Sequence, residues 1–223
     1  GISVYQRLRA RFENAAFVYF SDTGATPYGR MKRADLAARL NRVIDFLVDR
    51  EVTHVVIGCN AASTAIRDLH RTDVVIEGII ESAVDMTAKL RPPRLAVIGG
   101  RRTVASGIYR RKFEARGVRI SQRVAQPLSA LIESGDTSSE TLRRECRKIL
   151  APIRNSSHIL LACTHYPAIS AVIQEFVAGG CVLLDPSAAL AERIGHWQVS
   201  GHGLDEFITT GDADSMKTAA LNA

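Results

Sequence analysis

The chain has 223 residues, 46% of them hydrophobic and 23% charged, with a formal net charge of +6. These values are typical of a globular protein and exclude a disordered one, and the length is sufficient for one large domain or two small ones. No apolar run reaches the roughly 18–20 residues of a membrane span. The first residues, Gly-Ile-Ser-Val-Tyr followed by an arginine-rich segment, do not have the pattern of a secretory signal.

The positive charge is spread along helix-like segments in which arginines are mixed with acidic residues, as at 109–114 and 142–148. No helix-turn-helix or aromatic RNA-binding motif accompanies these segments. A solvated basic surface is therefore favoured over a nucleic-acid interface.

The cysteines are few and dispersed, which argues against a disulfide scaffold. Their positions are 59, 146, 163 and 181. Because the chain has no Cys-x-x-Cys pair, a metal site has little support. We expect a reducing, cytoplasmic setting.

Short β-branched runs alternate with amphipathic stretches along the chain. The stretch 34–50 has apolar residues at helical spacing, whereas 53–58 is apolar on both faces, as in a buried parallel strand. In chain order the pattern predicts strand 16–20, helix 34–50, strand 53–58, helix 61–69, strands 74–80 and 94–100, helix 106–116, strand 118–124, helix 138–153, strand 158–163, helix 169–177, strand 182–185 and helix 186–196. This alternation favours an α/β fold with parallel sheets.

The sequence Arg-Pro-Pro-Arg at 91–94 is the clearest break in this alternation, because proline removes a hydrogen-bond donor and restricts the residue before it. We interpret it as a crossover between two domains. The segments on either side each contain a strand that ends in cysteine, at Cys59 and Cys163. Ligands of open α/β sheets bind beyond the carboxyl ends of the strands, so both thiols are candidates for chemistry.

A single cysteine at a strand end is most often a small core residue. Two at matching positions, each at a strand-to-helix turn, favour a reaction centre, because the free N–H groups of such a turn bind a carboxylate and lower a thiol pKa. His165 is close enough in sequence to exchange a proton with Cys163. Two thiols suit the removal of a proton from one face of a carbon and its return to the other, whereas the thiols of a redox disulfide usually lie close in sequence.

Several stretches, in order along nearly the whole chain, resemble the aspartate/glutamate racemase family. They are Tyr-Phe-Ser-Asp-Thr-Gly-Ala-Thr-Pro-Tyr-Gly at 19–29, Gly-Cys-Asn-Ala-Ala-Ser at 58–63, Val-Ile-Gly-Gly-Arg-Arg-Thr-Val-Ala-Ser-Gly-Ile-Tyr at 97–109, Pro-Leu-Ser-Ala-Leu-Ile-Glu-Ser-Gly at 127–135, Ala-Cys-Thr-His-Tyr-Pro at 162–167 and Phe-Ile-Thr-Thr-Gly-Asp at 207–212. The Cys-Thr-His-Tyr-Pro sequence is the most specific of these, and it favours the glutamate racemase branch over the aspartate racemase branch.

The resemblance implies two flavodoxin-like parallel-sheet domains, residues 1–91 with 187–223 and residues 92–186, with the active site in the cleft between them. It implies racemisation of L- and D-glutamate without cofactor or metal, to supply D-glutamate for peptidoglycan, by a chain that acts away from membranes and can form a homodimer. Cys59 and Cys163 would be the two acid/base thiols, and His165 and Glu133 would assist Cys163. The residues that would line the substrate pocket are Pro27, Tyr28, Gly29, Asn60, Ala61, Thr103 and Thr164.

Some departures from the family pattern bear on activity. The family begins with a strand that ends in Asp-Ser-Gly, whose Asp partners the first cysteine, whereas this sequence begins at the following helix, so a sheet in the first domain would lack a buried strand. Ala61 stands where the family usually has threonine, so one hydroxyl for the substrate carboxylate is missing, and Gly100 stands where threonine is common. The open alternatives are a truncated but working glutamate racemase, a catalytically impaired racemase-like binding protein, and a racemase for another acidic amino acid.

Overall fold

The computed structural model describes residues 1–25, 27–201, 203–214 and 216–217. The elements of the first half are α1 (Ile2–Arg11), β1 (Val18–Ser21), α2 (Arg33–Val48), β2 (His54–Ile57), α3 (Asn60–Ser63), β3 (Val75–Gly78), α4 (Ile79–Lys89), β4 (Leu95–Gly99), α5 (Arg101–Ala105) and α6 (Ile108–Glu114). Those of the second half are β5 (Ile120–Val124), α7 (Gln126–Glu133), α8 (Glu140–Leu150), β6 (His158–Ala162), α9 (Ser170–Gln174), β7 (Val182–Leu184), α10 (Ser187–Arg193) and β8 (Glu206–Thr209). Short 3-10 turns lie at Tyr28–Arg30, Ile66–Asp68, Ala151–Ile153 and Tyr166–Ile169. Within the described residues, no helix has the length and apolar character to cross a membrane.

The chain divides into two compact units, unit 1 formed by Gly1–Ile79 with Ser187–Ala223 and unit 2 formed by Ile80–Pro186. The sequence predicted the first crossover after residue 91, whereas these units place α4 with unit 2. Ion pairs are among the contacts that link α4 to unit 2, since Glu81 of α4 contacts Lys112 of α6, and Asp85 of α4 lies 2.6 Å from the guanidinium of Arg116.

The strands of unit 1 form two parallel pairs. β1 pairs with β8, so that Val18 lies opposite Glu206, and β2 pairs with β3, so that His54 lies opposite Val75. In the described part of unit 1 these pairs are two separate two-stranded sheets. The parallel pairing predicted from the sequence is therefore present, but it is divided between two sheets.

The core of unit 1 lies under α2. The apolar residues of this helix recur at helical spacing, and its buried face carries Leu36, Leu40, Ile44 and Leu47. They belong to one cluster with the buried side of β2 and with Ala62 and Ala65, which follow the Cys59 turn. This packing fixes the end of β2, where Cys59 stands.

The sheet of unit 2 is a continuous four-stranded parallel sheet in the order β5-β4-β6-β7. All five residues of β4 are buried, as are four of the five residues of β6. Strands that are apolar on both faces are expected when helices cover both sides of a parallel sheet. The buried strand that the sequence predicted at 158–163 is therefore present as β6, which ends one residue before Cys163.

Several helices are shorter in the structure than the sequence predicted, both near the cysteine turns and at 138–153. The predicted helix 61–69 is instead α3 followed by a 3-10 turn at Ile66–Asp68. Hydroxyl groups explain the break, because Ser63 donates to the carbonyl oxygen of Ile57 at 3.0 Å and Thr64 donates to that of Ala61 at 2.7 Å. Such local side-chain bonds compete with a regular helix.

Candidate functional site

The first cysteine lies where β2 ends and α3 begins. Cys59 has extended backbone angles, φ −78° and ψ 123°, and its carbonyl oxygen accepts the N–H of Ser63 at 2.9 Å. Cys59 is exposed, and its neighbour Asn60 is buried. The turn therefore presents the thiol to solvent. Of the residues that follow, Asn60, Ala62 and Ser63 are buried, and Ala61 is partly buried.

Two tyrosines interact electrostatically with Cys59. Burial raises the pKa of Tyr19, and the negative charge of a Cys59 thiolate raises it further. Burial, the hydrogen bond to Asp22 and the charges of Asp22 and Cys59 together raise the pKa of Tyr28. Both phenols therefore stay protonated at neutral pH and can act only as neutral hydrogen-bonding groups beside this thiol.

The Pro27–Tyr28–Gly29 loop is held in place through Asp22. The Tyr28 hydroxyl donates to one carboxylate oxygen of Asp22 at 2.6 Å, Arg39 contacts both oxygens, and Thr210 donates to the other at 2.8 Å. Burial disfavours the charged form of Asp22, but these hydrogen bonds outweigh it and lower its pKa to about 2. The 3-10 turn at Tyr28–Arg30 also contacts α3, so the loop and the Cys59 turn lie together within unit 1.

The second cysteine lies where β6 ends. Its carbonyl oxygen accepts the N–H of Tyr166 at 3.2 Å, which closes the turn into the 3-10 segment Tyr166–Ile169. Cys163 is partly buried against the core of unit 2. Thr164 and His165 occupy the turn itself, as the sequence predicted.

His165 and Glu133 lie next to the thiol of Cys163. The Nδ1 atom of His165 is 3.8 Å from the sulfur and 3.4 Å from a carboxylate oxygen of Glu133. Burial lowers the pKa of His165 to about 4 and raises the pKa of Glu133. At neutral pH the imidazole is therefore uncharged, and its Nδ1 can accept a proton from the thiol or, in the other tautomer, donate to a thiolate.

A serine and a tyrosine lie on another side of the same sulfur. The Ser129 hydroxyl is 3.7 Å from the sulfur of Cys163 and 3.3 Å from the hydroxyl of Tyr166. The Tyr166 hydroxyl in turn donates to the carbonyl oxygen of Ala125 at 2.8 Å. Ser129, Tyr166 and Ala125 are all buried, so this chain of hydrogen bonds is shielded from water.

Thr103 is placed by a close approach at the ends of β4 and β6. A Cβ atom at Gly99 would lie 3.3 Å from the carbonyl oxygen of Ala162 and 3.4 Å from the methyl carbon of Thr103. The glycine therefore lets α5 start close to the end of β6. Thr103 itself is buried, and its carbonyl oxygen accepts the hydroxyl of Ser106 at 2.7 Å.

The site residues expected from the sequence fall into two groups. Unit 1 carries Pro27, Tyr28, Gly29, Cys59, Asn60 and Ala61, and unit 2 carries Thr103, Glu133, Cys163, Thr164 and His165. Within unit 2 the structure brings Glu133, Cys163 and His165 into contact. Sequence reasoning missed Arg39 as the partner of Asp22, and it missed Ser129, which the i,i+4 spacing from Glu133 on α7 would have indicated.

In the described parts of the chain, no group of three His, Cys, Asp or Glu side chains could hold a metal ion.

Known racemases resemble this chain over most of its length. A family model described as Asp/Glu/Hydantoin racemase matches residues 2–194. The glutamate racemase of Synechococcus sp. (strain CC9605) is 30% identical over 200 residues, which cover 87% of this chain and 74% of that protein.

Solved structures share the same fold. The glutamate racemase of Campylobacter jejuni subsp. jejuni superposes with a TM-score of 0.90 at 21% identity, covering 98% of this chain and 92% of that chain. The glutamate racemase of Aquifex pyrophilus superposes with a TM-score of 0.85 at 28% identity, covering 100% of this chain and 90% of that chain. These likenesses confirm the α/β fold with parallel sheets. Because the matching model spans both cysteine turns, the chain belongs to the Asp/Glu/hydantoin racemase family.

Proposed function

We propose that the protein interconverts L- and D-glutamate without a cofactor, with Cys59 and Cys163 as the two acid/base thiols. Family membership supports racemisation, and the glutamate racemases among its relatives support glutamate as the substrate. The observation that carries the proposal furthest is the contact of the Cys163 sulfur with His165 Nδ1, at 3.8 Å, with the Glu133 carboxylate 3.4 Å from the same nitrogen. This is the geometry of a thiol with its own proton partner.

The reaction moves one proton at a time. One cysteine, as thiolate, removes the α-proton, so that the C–H bond breaks, an S–H bond forms and the electron pair remains on the α-carbon. The other cysteine, as thiol, then protonates the opposite face of that carbon. An α-proton of an amino acid is a weak acid, so the site has to stabilise the carbanion with hydrogen-bond donors and exclude water.

The surrounding residues hold the amino acid. We assign this role to Pro27, Tyr28, Gly29, Asn60, Ala61, Thr103 and Thr164. Tyr28 is suited to it because the Asp22–Arg39 pair fixes the loop before substrate arrives. Ala61 can offer only backbone groups, so binding of the substrate carboxylate at this position relies on the N–H groups of the turn.

In the cell, this activity supplies D-glutamate for peptidoglycan. The mechanism requires reduced thiols, which supports a cytoplasmic reaction. A homodimer stays a prediction, to be checked by light scattering of the purified protein.

Racemisation is tested by circular dichroism. The optical signal of L-glutamate should decay to zero with the wild-type chain, and Cys59→Ala or Cys163→Ala should lower the rate by at least about a hundredfold, as for loss of an acid/base group. Cys181→Ala is the matched control, because Cys181 is a buried cysteine outside both turns. This control should keep nearly full activity.

The alternatives give different results in the same experiment. Binding of D-glutamate without racemisation by the wild-type chain would refute the enzyme proposal and support a racemase-like binding protein. Faster racemisation of L-aspartate than of L-glutamate would instead support another acidic substrate.

A further inference from the structure

Helix α7 presents two side chains to the Cys163 turn. Ser129 and Glu133 are four residues apart and therefore lie on one face of the helix. Glu133 contacts His165, whereas Ser129 lies 3.7 Å from the sulfur itself, within the longer reach of a hydrogen bond to sulfur. Ser129 is 4% exposed, so water does not compete strongly for its hydroxyl.

The protons around Ser129 can be assigned from their partners. Tyr166 has one hydroxyl proton, and it donates this proton to the carbonyl oxygen of Ala125 at 2.8 Å. Burial raises the pKa of Tyr166 well above its ordinary value, and negative charge on Cys163 raises it further, so the phenol remains protonated. Towards Ser129, at 3.3 Å, the Tyr166 oxygen is therefore an acceptor.

The Ser129 proton consequently has two acceptors to choose from. When Cys163 is a thiol, its S–H can donate to the Ser129 oxygen while the Ser129 hydroxyl donates to Tyr166. When Cys163 is a thiolate, the Ser129 hydroxyl can rotate and donate to the sulfur instead. Both protonation states of the cysteine are thus hydrogen-bonded without any group being left buried and unpaired.

We propose that Ser129 is a positioning residue for Cys163, whose rotating hydroxyl accepts from the thiol and donates to the thiolate. The role rests on the proposed function, in which Cys163 alternates between these two forms. When the thiolate takes the α-proton, the C–H bond breaks and the S–H bond forms, and the Ser129 hydroxyl turns from the sulfur to the Tyr166 oxygen. Ser129 neither gains nor loses a proton in the cycle.

The test is the pH dependence of alkylation by iodoacetamide, measured by mass spectrometry on the peptide that contains Cys163. Ser129→Ala removes a donor to the thiolate, so the midpoint should rise by about one pH unit, a roughly tenfold loss of thiolate at a fixed pH below the midpoint. Cys59 in the same sample is the internal control, and its curve should not move. Ser134→Ala, at the exposed end of α7, is the matched serine control and should leave both curves unchanged.

Tyr166→Phe gives a second, opposite signature. It removes the alternative acceptor of the Ser129 proton, so the thiolate becomes the better partner and the midpoint of Cys163 should fall. Ser129→Thr keeps a hydroxyl and should restore a midpoint close to that of the wild type. These two variants keep the proposal testable if Ser129→Ala does not fold.

Activity supplies the last readout. For Ser129→Ala, kcat should fall by about tenfold near neutral pH and recover as the pH rises, because more of Cys163 then ionises. A Cys163 midpoint that is the same in Ser129→Ala and Ser134→Ala would overturn the inference. If Cys163→Ala retained racemisation while the Ser129→Ala midpoint still shifted, the proposed function would fail and the hydrogen-bond inference would survive.

Discussion

The Cys59 turn and the Cys163 turn begin alike and differ in their side chains. Each follows a short parallel strand, and each places a cysteine where the chain turns into a helical segment. Cys163 is partly buried and contacts His165 and Ser129. Cys59 is exposed and interacts electrostatically with Tyr19 and Tyr28, which remain neutral.

The contrast between the two cysteine turns separates what the α/β backbone provides from what the surrounding side chains provide. The strand end and the start of the helical segment give the backbone conformation and free N–H groups in both units. His165 belongs to the Cys163 turn itself, but the other side chains around the two thiols come from elsewhere in the chain. In unit 2 one helix, α7, brings both Ser129 and Glu133, whereas in unit 1 Tyr19 comes from β1 and Tyr28 from the loop that Asp22 holds.

The largest effect should follow from removing the imidazole beside Cys163. We expect His165→Asn to lower kcat/KM by about 10²–10³-fold, because a proton partner of the reactive thiol is lost. The loss should be equal for L- and D-glutamate, since the equilibrium constant between enantiomers is one. Circular dichroism in both directions measures it.

His158→Asn is the control for this change, because His158 stands at the other end of β6. A loss of less than about threefold in His165→Asn would show that Cys163 does not depend on its neighbour, and the contrast between the two turns would disappear.

The next effect concerns the loop of unit 1. Asp22→Asn keeps the shape of the side chain but removes the charge that Arg39, Tyr28 and Thr210 contact. We expect the free energy of unfolding to fall by about 2 kcal/mol, because the partly buried Arg39 is left without its buried counter-charge. Urea denaturation measures it, and KM for glutamate should rise as the loop loosens.

Asp35→Asn, an exposed position on α2, is the matched control and should change stability by less than about 0.5 kcal/mol. Equal stability of the two variants would mean that Asp22 does not hold the loop.

The strands and both turns could be predicted from the sequence because their signals are local. A mostly apolar run that ends in cysteine is visible at 53–59 and at 158–163, and the structure has β2 and β6 there. Apart from the Cys163–His165 contact, the contacts that distinguish the turns are not local. Asp22 meets Thr210, which is 188 residues away in sequence, and Ser129 meets Cys163 across 34 residues.

Helix lengths were also hard to predict near the site. The stretch 61–69 has helical spacing, but the hydroxyls of Ser63 and Thr64 bond to nearby carbonyls and end the helix early. The interruption of the sheet in unit 1 and the placement of α4 in unit 2 likewise depend on tertiary contacts. Local pattern therefore predicts where chemistry can occur, and tertiary contacts decide which side chains support it.

A smaller effect is the difference in thiol accessibility. At pH 8, iodoacetamide should modify Cys59 about tenfold faster than Cys146, because Cys59 is exposed and Cys146 is completely buried. Burial also raises the pKa of Cys146 to about 11, which removes its thiolate at this pH. Peptide mass spectrometry over time measures both rates of modification. The reaction is repeated in urea, where the two rates should converge because unfolding exposes both thiols.

The smallest expected effect is the loss of stability in acid, which should begin at a higher pH around Cys163 than around the Asp22 loop. The pKa of His165 is about 4 in the folded protein and 6.5 as an ordinary histidine, so the unfolded chain binds a proton first, and stability falls as the pH drops from 6.5 to 4. The pKa of Asp22 is about 2 against an ordinary 3.8, so its contribution to stability is intact above pH 4 and is lost only as the pH falls towards 2.

Because His165 is 37% exposed and water screens it, we expect the free energy of unfolding to fall by about 1 kcal/mol or less between pH 7 and pH 4.5. On going from pH 7 to pH 4.5, hydrogen exchange should speed up more in peptides around 158–166 than in peptides around 18–30. The increase around 158–166 should be larger in the wild type than in His165→Asn, which lacks the imidazole. Equal opening in the wild type and His165→Asn would mean that His165 does not set the acid response of unit 2, and greater opening around 18–30 would reverse the proposed order of the two regions.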